Sequence, residues 1–154
     1  MIEAEEPATD TQIAIVMSTY NSSIVNSLLE GCLHTLNGAG IENRSITIVK
    51  VPGAYEIPVV ANMLATRQRY NAIIALGAII RGETPHFDII AHACSQALGE
   101  VAMKYNLPVI FGVLTVNTIQ QAKDRSGDEE SNKGSEAAKT ALDMISVMSK
   151  LVNE

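Results

Sequence analysis

The chain has 154 residues, of which 47% are hydrophobic and 4% are aromatic, and its formal net charge is −6. This length fits one domain of ordinary size, which can bury a core without disulfide bonds or metal ions. The acidic balance argues against binding to nucleic acid or to an anionic membrane, because both need a basic face, although local cations could still hold a small anion.

Four apolar runs alternate with helical patterns along the chain, after an acidic and polar N-terminal stretch. We expect residues 1–12 to form a flexible arm and residues 13–154 to form a single domain. The apolar runs predict strands over residues 13–17, 46–51, 72–80 and 109–114. The first helix follows a cap within residues 21–23 and ends at Gly38 and Gly40, and the second opens near Pro58. Three more helices are expected at about residues 86–105, 118–124 and 135–152.

Strands that are apolar on both faces and alternate with helices indicate a parallel sheet covered on both sides. The order of elements predicts an α/β fold, a three-layer α/β/α sandwich with a four-stranded parallel sheet of the flavodoxin-like kind. In such folds ligands lie beyond the carboxyl ends of the strands. Three segments fall there, over residues 18–21, 52–56 and 79–86, and the fourth strand leads into residues 115–117. A functional site is therefore expected in these segments.

Familiar site motifs are missing from the sequence. No dinucleotide or phosphate-loop glycine motif follows a strand, no nucleophile elbow is present, and the three histidines have no zinc-ligand spacing. Cys32 and Cys94 lie far apart within apolar helical patterns, so we expect buried thiols rather than a disulfide or a metal site. No apolar run has membrane-spanning length and the N-terminus does not resemble a signal peptide, so we expect a reduced, cytoplasmic location.

The segment Arg81-Gly82-Glu83-Thr84-Pro85-His86, after the third strand, carries the most suggestive chemistry. Its backbone amides precede a predicted helix, and a helix N-terminus attracts anions. Thr84 adds a hydroxyl donor, and histidine is the side chain best suited to proton transfer near neutral pH. These features predict a phosphate pocket beside a general acid/base, His86. The alternative is that Thr84 merely caps the helix and that His86 is a surface histidine.

Other candidate residues also have two interpretations. Glu56 could accept hydrogen bonds from sugar-like hydroxyls, or it could be an acid favoured by the dipole of the helix that follows. Tyr20 could stack on a flat ring, or it could be an ordinary tyrosine at the edge of the core. Arg125 and Lys133 flank the acidic run Asp128-Glu129-Glu130, so they could bind phosphate or form salt bridges within the loop.

Four segments together resemble the lumazine synthase family, and the likeness runs from about Ile13 to Val152. They occur in the right order, with the right element between each. The segments are VPGAYEIP at 51–58, LGAIIRGETPHFD at 76–88, FGVLT at 111–115 and NKG at 132–134. One such match would be weak, whereas four in order are specific.

The resemblance implies an enzyme of riboflavin synthesis. The family condenses 5-amino-6-(D-ribitylamino)uracil with 3,4-dihydroxy-2-butanone 4-phosphate to give 6,7-dimethyl-8-ribityllumazine, phosphate and water, the penultimate step of the pathway. It needs no metal and no organic cofactor. His86 would move protons during imine formation, phosphate elimination and ring closure. The family's site spans two subunits of a homopentamer, which in some members builds larger assemblies such as a decamer or a 60-mer capsid.

The resemblance also implies a substrate-binding role for a set of positions. Tyr20, where the family usually has Phe or Trp, would stack on the pyrimidine ring, which Phe111 would cover. The ribityl chain would be held by the side chains of Asn21 and Glu56 and by the backbone of Gly53, Ala54 and Tyr55. The backbone of Ala78, Ile79 and Ile80 would read the polar edge of the ring. The amides of Glu83 and Thr84, with Arg125, would hold the phosphate. Phe111, Arg125 and Lys133 would reach in from the neighbouring subunit.

Three departures from the family pattern bear on these expectations. Thr19 occupies a position that is often Arg, and Pro85 stiffens the loop and removes one amide. The acids of residues 128–130 would weaken the local attraction for phosphate. The alternative function is a noncatalytic flavin- or lumazine-binding protein, or a shell-forming protein, on the same scaffold. Retention of His86, Thr84 and Arg125 favours catalysis, because a binder or a shell has no need of a proton shuttle.

Overall fold

The computed structural model describes residues 1–8, 10–128 and 130–154, and within them four strands form one sheet. The strands are β1 (Ile13–Ser18), β2 (Ile46–Val51), β3 (Ala72–Ile80) and β4 (Val109–Val116). Their order is β2-β1-β3-β4, and every neighbouring pair is parallel. The predicted three-layer sandwich with a four-stranded parallel sheet is therefore confirmed.

Two strands extend beyond their predicted ends. Ser18 pairs with Val51 of β2, so β1 is one residue longer than its apolar run. In β4, Thr115 and Val116 pair with the last two residues of β3 and add two positions. The apolar run marks only the part of a strand that helices cover, whereas hydrogen-bonded pairing continues to the edge where the site is expected.

Five helices cover the sheet within the described residues. They are α1 (Ser22–Gly38), α2 (Ile57–Thr66), α3 (His86–Tyr105), α4 (Ile119–Asp124) and α5 (Lys133–Val152), with short 3-10 turns at Asn43–Ser45 and Ala54–Glu56. The last helix begins two residues earlier than its apolar pattern predicts. Its start is fixed by Asn132, whose side-chain oxygen accepts hydrogen bonds from the amides of Gly134 and Ser135. A polar cap sets this boundary, which apolar periodicity cannot show.

Alternate residues of β1 point into two separate cores. Ile13, Ile15 and Met17 are buried on the side of α1 and α5, where they meet side chains such as Leu28. Ala14 and Val16 are buried on the opposite side, among residues of α2 and α3. Helices on both faces explain why this strand is apolar throughout instead of alternating.

The N-terminal residues 1–8 have no helix or strand, and they run beside the last helix. The Glu5 amide donates a hydrogen bond to the Ser146 hydroxyl at 2.7 Å, and the Lys150 ammonium lies 2.9 Å from the Glu5 carboxylate. The predicted flexible arm and domain boundary stay predictions, and Thr9, within that arm, lies outside the described residues. Among the described residues, no helix combines the length and apolar character needed to cross a bilayer.

Both cysteines are buried free thiols, as the sequence predicts. Burial raises the pKa of the Cys32 thiol from 9.0 to about 12. Between these values the unfolded chain loses the thiol proton and the folded chain keeps it, so raising the pH destabilises the fold. Above pH 9 this thiol should lower the free energy of unfolding by about 1.4 kcal/mol per pH unit. Cys32→Ala should remove this contribution and leave that of Cys94, whose pKa burial raises to about 11. Urea unfolding from about pH 8 to about pH 11 measures it, and equal slopes for the two proteins would contradict the prediction.

Candidate functional site

The segments after β1, β2 and β3 meet at one edge of the sheet, as parallel strands require. The Tyr20 amide donates a hydrogen bond to the Pro52 carbonyl at 3.0 Å. The Asn21 side-chain amide donates to the Ala78 carbonyl at 3.1 Å. These two bonds join the segments after β1 and β2 to each other and to the end of β3. The predicted ring-binding and ribityl-binding residues there form one surface, which we call the carboxyl-end group: Tyr20, Asn21, Gly53, Ala54, Tyr55, Glu56 and Ala78.

Asn21 does not cap α1 with its side chain, although it stands at the capping position. Its backbone is left-handed, with a φ of 58°, a conformation that asparagine tolerates better than most residues. The backbone enters α1 directly after Asn21, while the Asn21 side chain extends to the Ala78 carbonyl in β3. The predicted cap is therefore wrong for Asn21, and the residue instead ties the start of α1 to the end of β3.

The loop after β2 is organised by Glu56. Its carboxylate accepts a hydrogen bond from the Gly53 amide at 3.0 Å and closes the short turn Ala54–Glu56. A Cβ atom at position 53 would stand 3.0 Å from the Tyr20 ring, so glycine lets the ring lie against this loop without a shift. Tyr20, beside this turn, and Tyr55, within it, remain largely exposed, with 64% and 59% of their surface accessible.

Residues 81–86 form an exposed connection between β3 and α3. The His86 amide donates to the Thr84 hydroxyl over a long 3.4 Å, so Thr84 contributes only a weak cap. Within the described residues, Pro85 at the capping position makes no side-chain cap bond to α3. A 20-residue helix thus begins with only a weak side-chain bond to the amides of its first turn, and the positive end of its dipole attracts an anion. His86, the first residue of α3, is exposed beside these amides.

Phe111, Arg125 and Lys133 come together elsewhere, along the free edge of β4. They line a cavity of about 520 Å³ together with Glu136 and Thr140 of α5. The Lys133 ammonium lies 2.8 Å from the Glu136 carboxylate, and the Lys133 amide donates to the Arg125 carbonyl at 2.8 Å. The pair with Glu136 was not predicted, although its i, i+3 spacing on a helix signals it.

The predicted residues therefore form two groups on one chain. No residue of the carboxyl-end group lines the cavity beside β4, and we call Phe111, Arg125 and Lys133 the β4-edge group. The family resemblance implies a site that joins the two groups across neighbouring subunits, and this arrangement stays a prediction. The backbone positions Ala78, Ile79 and Ile80, at the end of β3, and Glu83 and Thr84, in the exposed loop, belong to the carboxyl-end side.

Asn132 organises the loop that joins Arg125 to Lys133. Its buried side-chain amide donates to the carbonyls of Ser27, Ser126 and Gly127, at 3.0, 3.2 and 3.2 Å. This hub holds Asn132, which precedes Lys133, against Ser126 and Gly127, which follow Arg125. The acidic run predicted to weaken phosphate binding includes Glu129, which lies outside the described residues.

Two further findings concern ligands and relatives. Among the described residues, no cluster of three or more His, Cys, Asp and Glu side chains could hold a metal ion. Residues 10–149 match the family model described as 6,7-dimethyl-8-ribityllumazine synthase. The match covers nearly the whole chain, including the carboxyl-end group, the β4-edge group and the loop over residues 81–86.

Proposed function

Because the chain belongs to the 6,7-dimethyl-8-ribityllumazine synthase family, a family of transferases of riboflavin biosynthesis, we propose that it catalyses this family's reaction. The substrates are 5-amino-6-(D-ribitylamino)uracil and 3,4-dihydroxy-2-butanone 4-phosphate, and the products are 6,7-dimethyl-8-ribityllumazine, phosphate and water. The observation that carries the proposal is the contact, at the carboxyl end of the sheet, between the loops that follow β1 and β2 and the end of β3, where Tyr20 meets Pro52 and Asn21 meets Ala78.

The pyrimidine substrate is assigned to the surface between Tyr20 and the turn at Ala54–Glu56. The exposed Tyr20 ring offers a face on which the pyrimidine stacks. Glu56 is held in place through its bond to Gly53, so its carboxylate is oriented to accept hydrogen bonds from ribityl hydroxyls. Asn21, fixed against β3, lies at the same edge.

The phosphate of the second substrate is assigned to the open start of α3. The amides of Glu83 and Thr84 and the dipole of a long helix favour a dianion there. His86 stands beside this position and is suited to take and return protons. The ring amine attacks the ketone and water leaves to form an imine. Loss of a carbon-bound proton then expels phosphate, and the resulting enol tautomerises to a second ketone. The ribitylamino nitrogen attacks this carbonyl, and loss of a second water closes the ring.

The complete site is proposed to form between subunits of a homopentamer or a larger assembly, with the β4-edge group of one chain facing the carboxyl-end group of the next. Large apolar side chains on α2 and α3 support association. Val59 and Met63, one turn apart on α2, are 71% and 62% exposed, and Ile89 on α3 is 61% exposed. Exposed apolar surface of this kind is typical of a protein interface. A cytoplasmic location also stays a prediction.

The proposed reaction is tested by mixing the purified protein with both substrates and following the absorbance and fluorescence of the lumazine. We expect formation well above the uncatalysed rate, and none above that rate when either substrate is left out. A protein that binds the lumazine but gives no increase over the uncatalysed rate would be the noncatalytic binder instead. Light scattering and electron microscopy separate the pentamer from a decamer or a capsid.

The shared site is tested in the same assay by co-expressing two variants in equal amounts. His86→Ala damages the side of the proposed site that contains the carboxyl-end group and the start of α3, and Arg125→Ala damages the β4-edge group. In randomly mixed rings about a quarter of the interfaces join two intact sides, so activity should rise far above that of either variant. His86→Ala with Glu56→Ala, which damage the same side, is the matched control and should give no recovery. Equal results for the two mixtures would place the site within one chain.

A further inference from the structure

Arg81, the residue that directly follows β3, turns its side chain away from the exposed loop that it begins. Its Nη1 and Nη2 atoms donate to the two oxygens of the Asp88 carboxylate, each at 3.2 Å. Its Nε atom donates to the Asn117 side-chain oxygen at 2.9 Å. The guanidinium carbon lies 4.3 Å from the centroid of the Phe87 ring. All three guanidinium nitrogens are thus engaged by the protein.

These contacts tie together three elements around the loop over residues 82–85. Asp88 lies in the first turn of α3, and Asn117 follows β4 directly. The Arg81 amide also donates to the Val116 carbonyl at 2.9 Å, so the backbone at this point is fixed as well. The loop therefore begins at Arg81, whose side chain is bonded to α3, the helix at which the loop ends.

The loop itself receives little support from packing. Its residues are exposed, and a side-chain carbon placed on Gly82 would meet no atom within 4 Å. A short loop without packing takes its shape from the separation and orientation of its ends. The bidentate pair between Arg81 and Asp88 fixes both, because a planar guanidinium and a carboxylate match in one geometry.

We propose that the ion pair between Arg81 and Asp88, which we call the clamp, positions the loop over residues 82–85, and that Arg81 does not itself bind the phosphate of the substrate. Arg81 is then a positioning residue, which acts through the amides of Glu83 and Thr84 and through His86 at the start of α3. This inference rests on the proposed function, since it assigns those amides to the butanone phosphate. It removes Arg81 from the set of cations that contact the substrate and leaves that role to the β4-edge group.

Asp88→Asn distinguishes the clamp from direct binding of phosphate by Arg81, because the two predict opposite changes in KM for the butanone phosphate. If Arg81 bound the phosphate, removing the carboxylate would free the guanidinium and delete a nearby negative charge, so KM for the butanone phosphate would fall. If the pair is a clamp, the loop loses its geometry and KM rises. We expect a rise of about tenfold, since a misplacement of about 1 Å can cost up to about 100-fold.

The kinetic test uses Asp88→Asn, Arg81→Met and the double variant, with both substrates varied. KM for the butanone phosphate should rise in all three, and KM for the pyrimidine should stay at the wild-type value. The double variant should be no worse than Arg81→Met alone, because both changes break one interaction. Arg44→Met is the matched control: it breaks an arginine–carboxylate pair with Glu42 whose side chains are 84% and 64% exposed, and it should change neither KM.

Amide hydrogen exchange, read by mass spectrometry, tests the clamp independently of activity. Peptides covering residues 81–90 should exchange faster in Asp88→Asn and Arg81→Met than in the wild type, while peptides from β1 and α5 stay protected and show that the variants are folded. If the wild type forms no lumazine, the proposed function fails and the exchange result still decides the clamp. A lower KM in Asp88→Asn, or wild-type exchange in both variants, overturns the inference.

Discussion

Replacing Gly134 by alanine is expected to destabilise the fold by about 3 kcal/mol or more. A Cβ atom at this position would stand 1.9 Å from the Leu28 carbonyl oxygen and 2.6 Å from the carbonyl carbon. Both atoms belong to the backbone of α1, so no rotation of a side chain can relieve the overlap. The first turn of α5 would have to move away from α1.

The same movement should also damage the β4-edge group. Gly134 follows Lys133 directly, and its amide donates to the Asn132 side chain at 2.8 Å. Displacing the first turn of α5 breaks this bond and loosens the hub that fixes the loop back to Arg125. Loss of stability and loss of phosphate affinity are therefore expected together in Gly134→Ala.

Gly99→Ala, in the middle of α3, is the matched control for the same added methyl group. A Cβ atom there meets no atom within 4 Å, so alanine should stabilise the helix by about 0.5–1 kcal/mol through its lower entropy in the unfolded chain. Urea unfolding of both variants and the wild type, at one protein concentration, measures the differences. A midpoint for Gly134→Ala equal to that of the wild type would contradict the close approach of α1 and α5.

The fold could be predicted because its information is local. Runs such as Ala72–Ile80 are apolar at nearly every position, which few structures other than a strand covered on both faces require. The alternation of such runs with helical spacing then leaves little choice except a parallel sheet between helices. The predicted bounds were wrong only at the ends of some elements. Ser18 and Val116 pair beyond the predicted ends of β1 and β4, and the Asn132 cap starts α5 before its predicted first residue.

The site could be predicted only in part, because its geometry depends on partners distant in sequence. The sequence indicated that residues 81–86 were important, but it could not show that Arg81 faces Asp88 and Asn117 instead of the loop. Likewise, Asn132 donates to Ser27, which lies 105 positions away. Motif and spacing identify which residue types are present, whereas the direction of a side chain is set by tertiary contacts.

His86→Ala is expected to lower kcat by about 100-fold to 10,000-fold while leaving activity that is clearly measurable above the uncatalysed reaction. General acid/base catalysis by a positioned imidazole contributes a factor of this size. Holding two substrates together in a reactive orientation can contribute on the order of 7–11 kcal/mol, and that contribution does not depend on the imidazole. KM for the pyrimidine should stay near the wild-type value, because Tyr20 and the turn at Ala54–Glu56 are untouched.

His92→Ala is the matched control for this change, since His92 is exposed on the same helix, and it should leave kcat at the wild-type value. Complete loss of activity in a folded His86→Ala protein that still binds both substrates would contradict this division of the rate acceleration between the imidazole and substrate positioning.

Residual activity would instead mean that positioning of the two substrates supplies most of the rate acceleration. In that case Asp88→Asn, which keeps the imidazole and loosens the loop before it, should lower kcat/KM for the butanone phosphate without removing the proton shuttle. Combining it with His86→Ala should then give a less than additive loss, because the clamp also positions His86 and the two residues are neighbours in the first turn of α3.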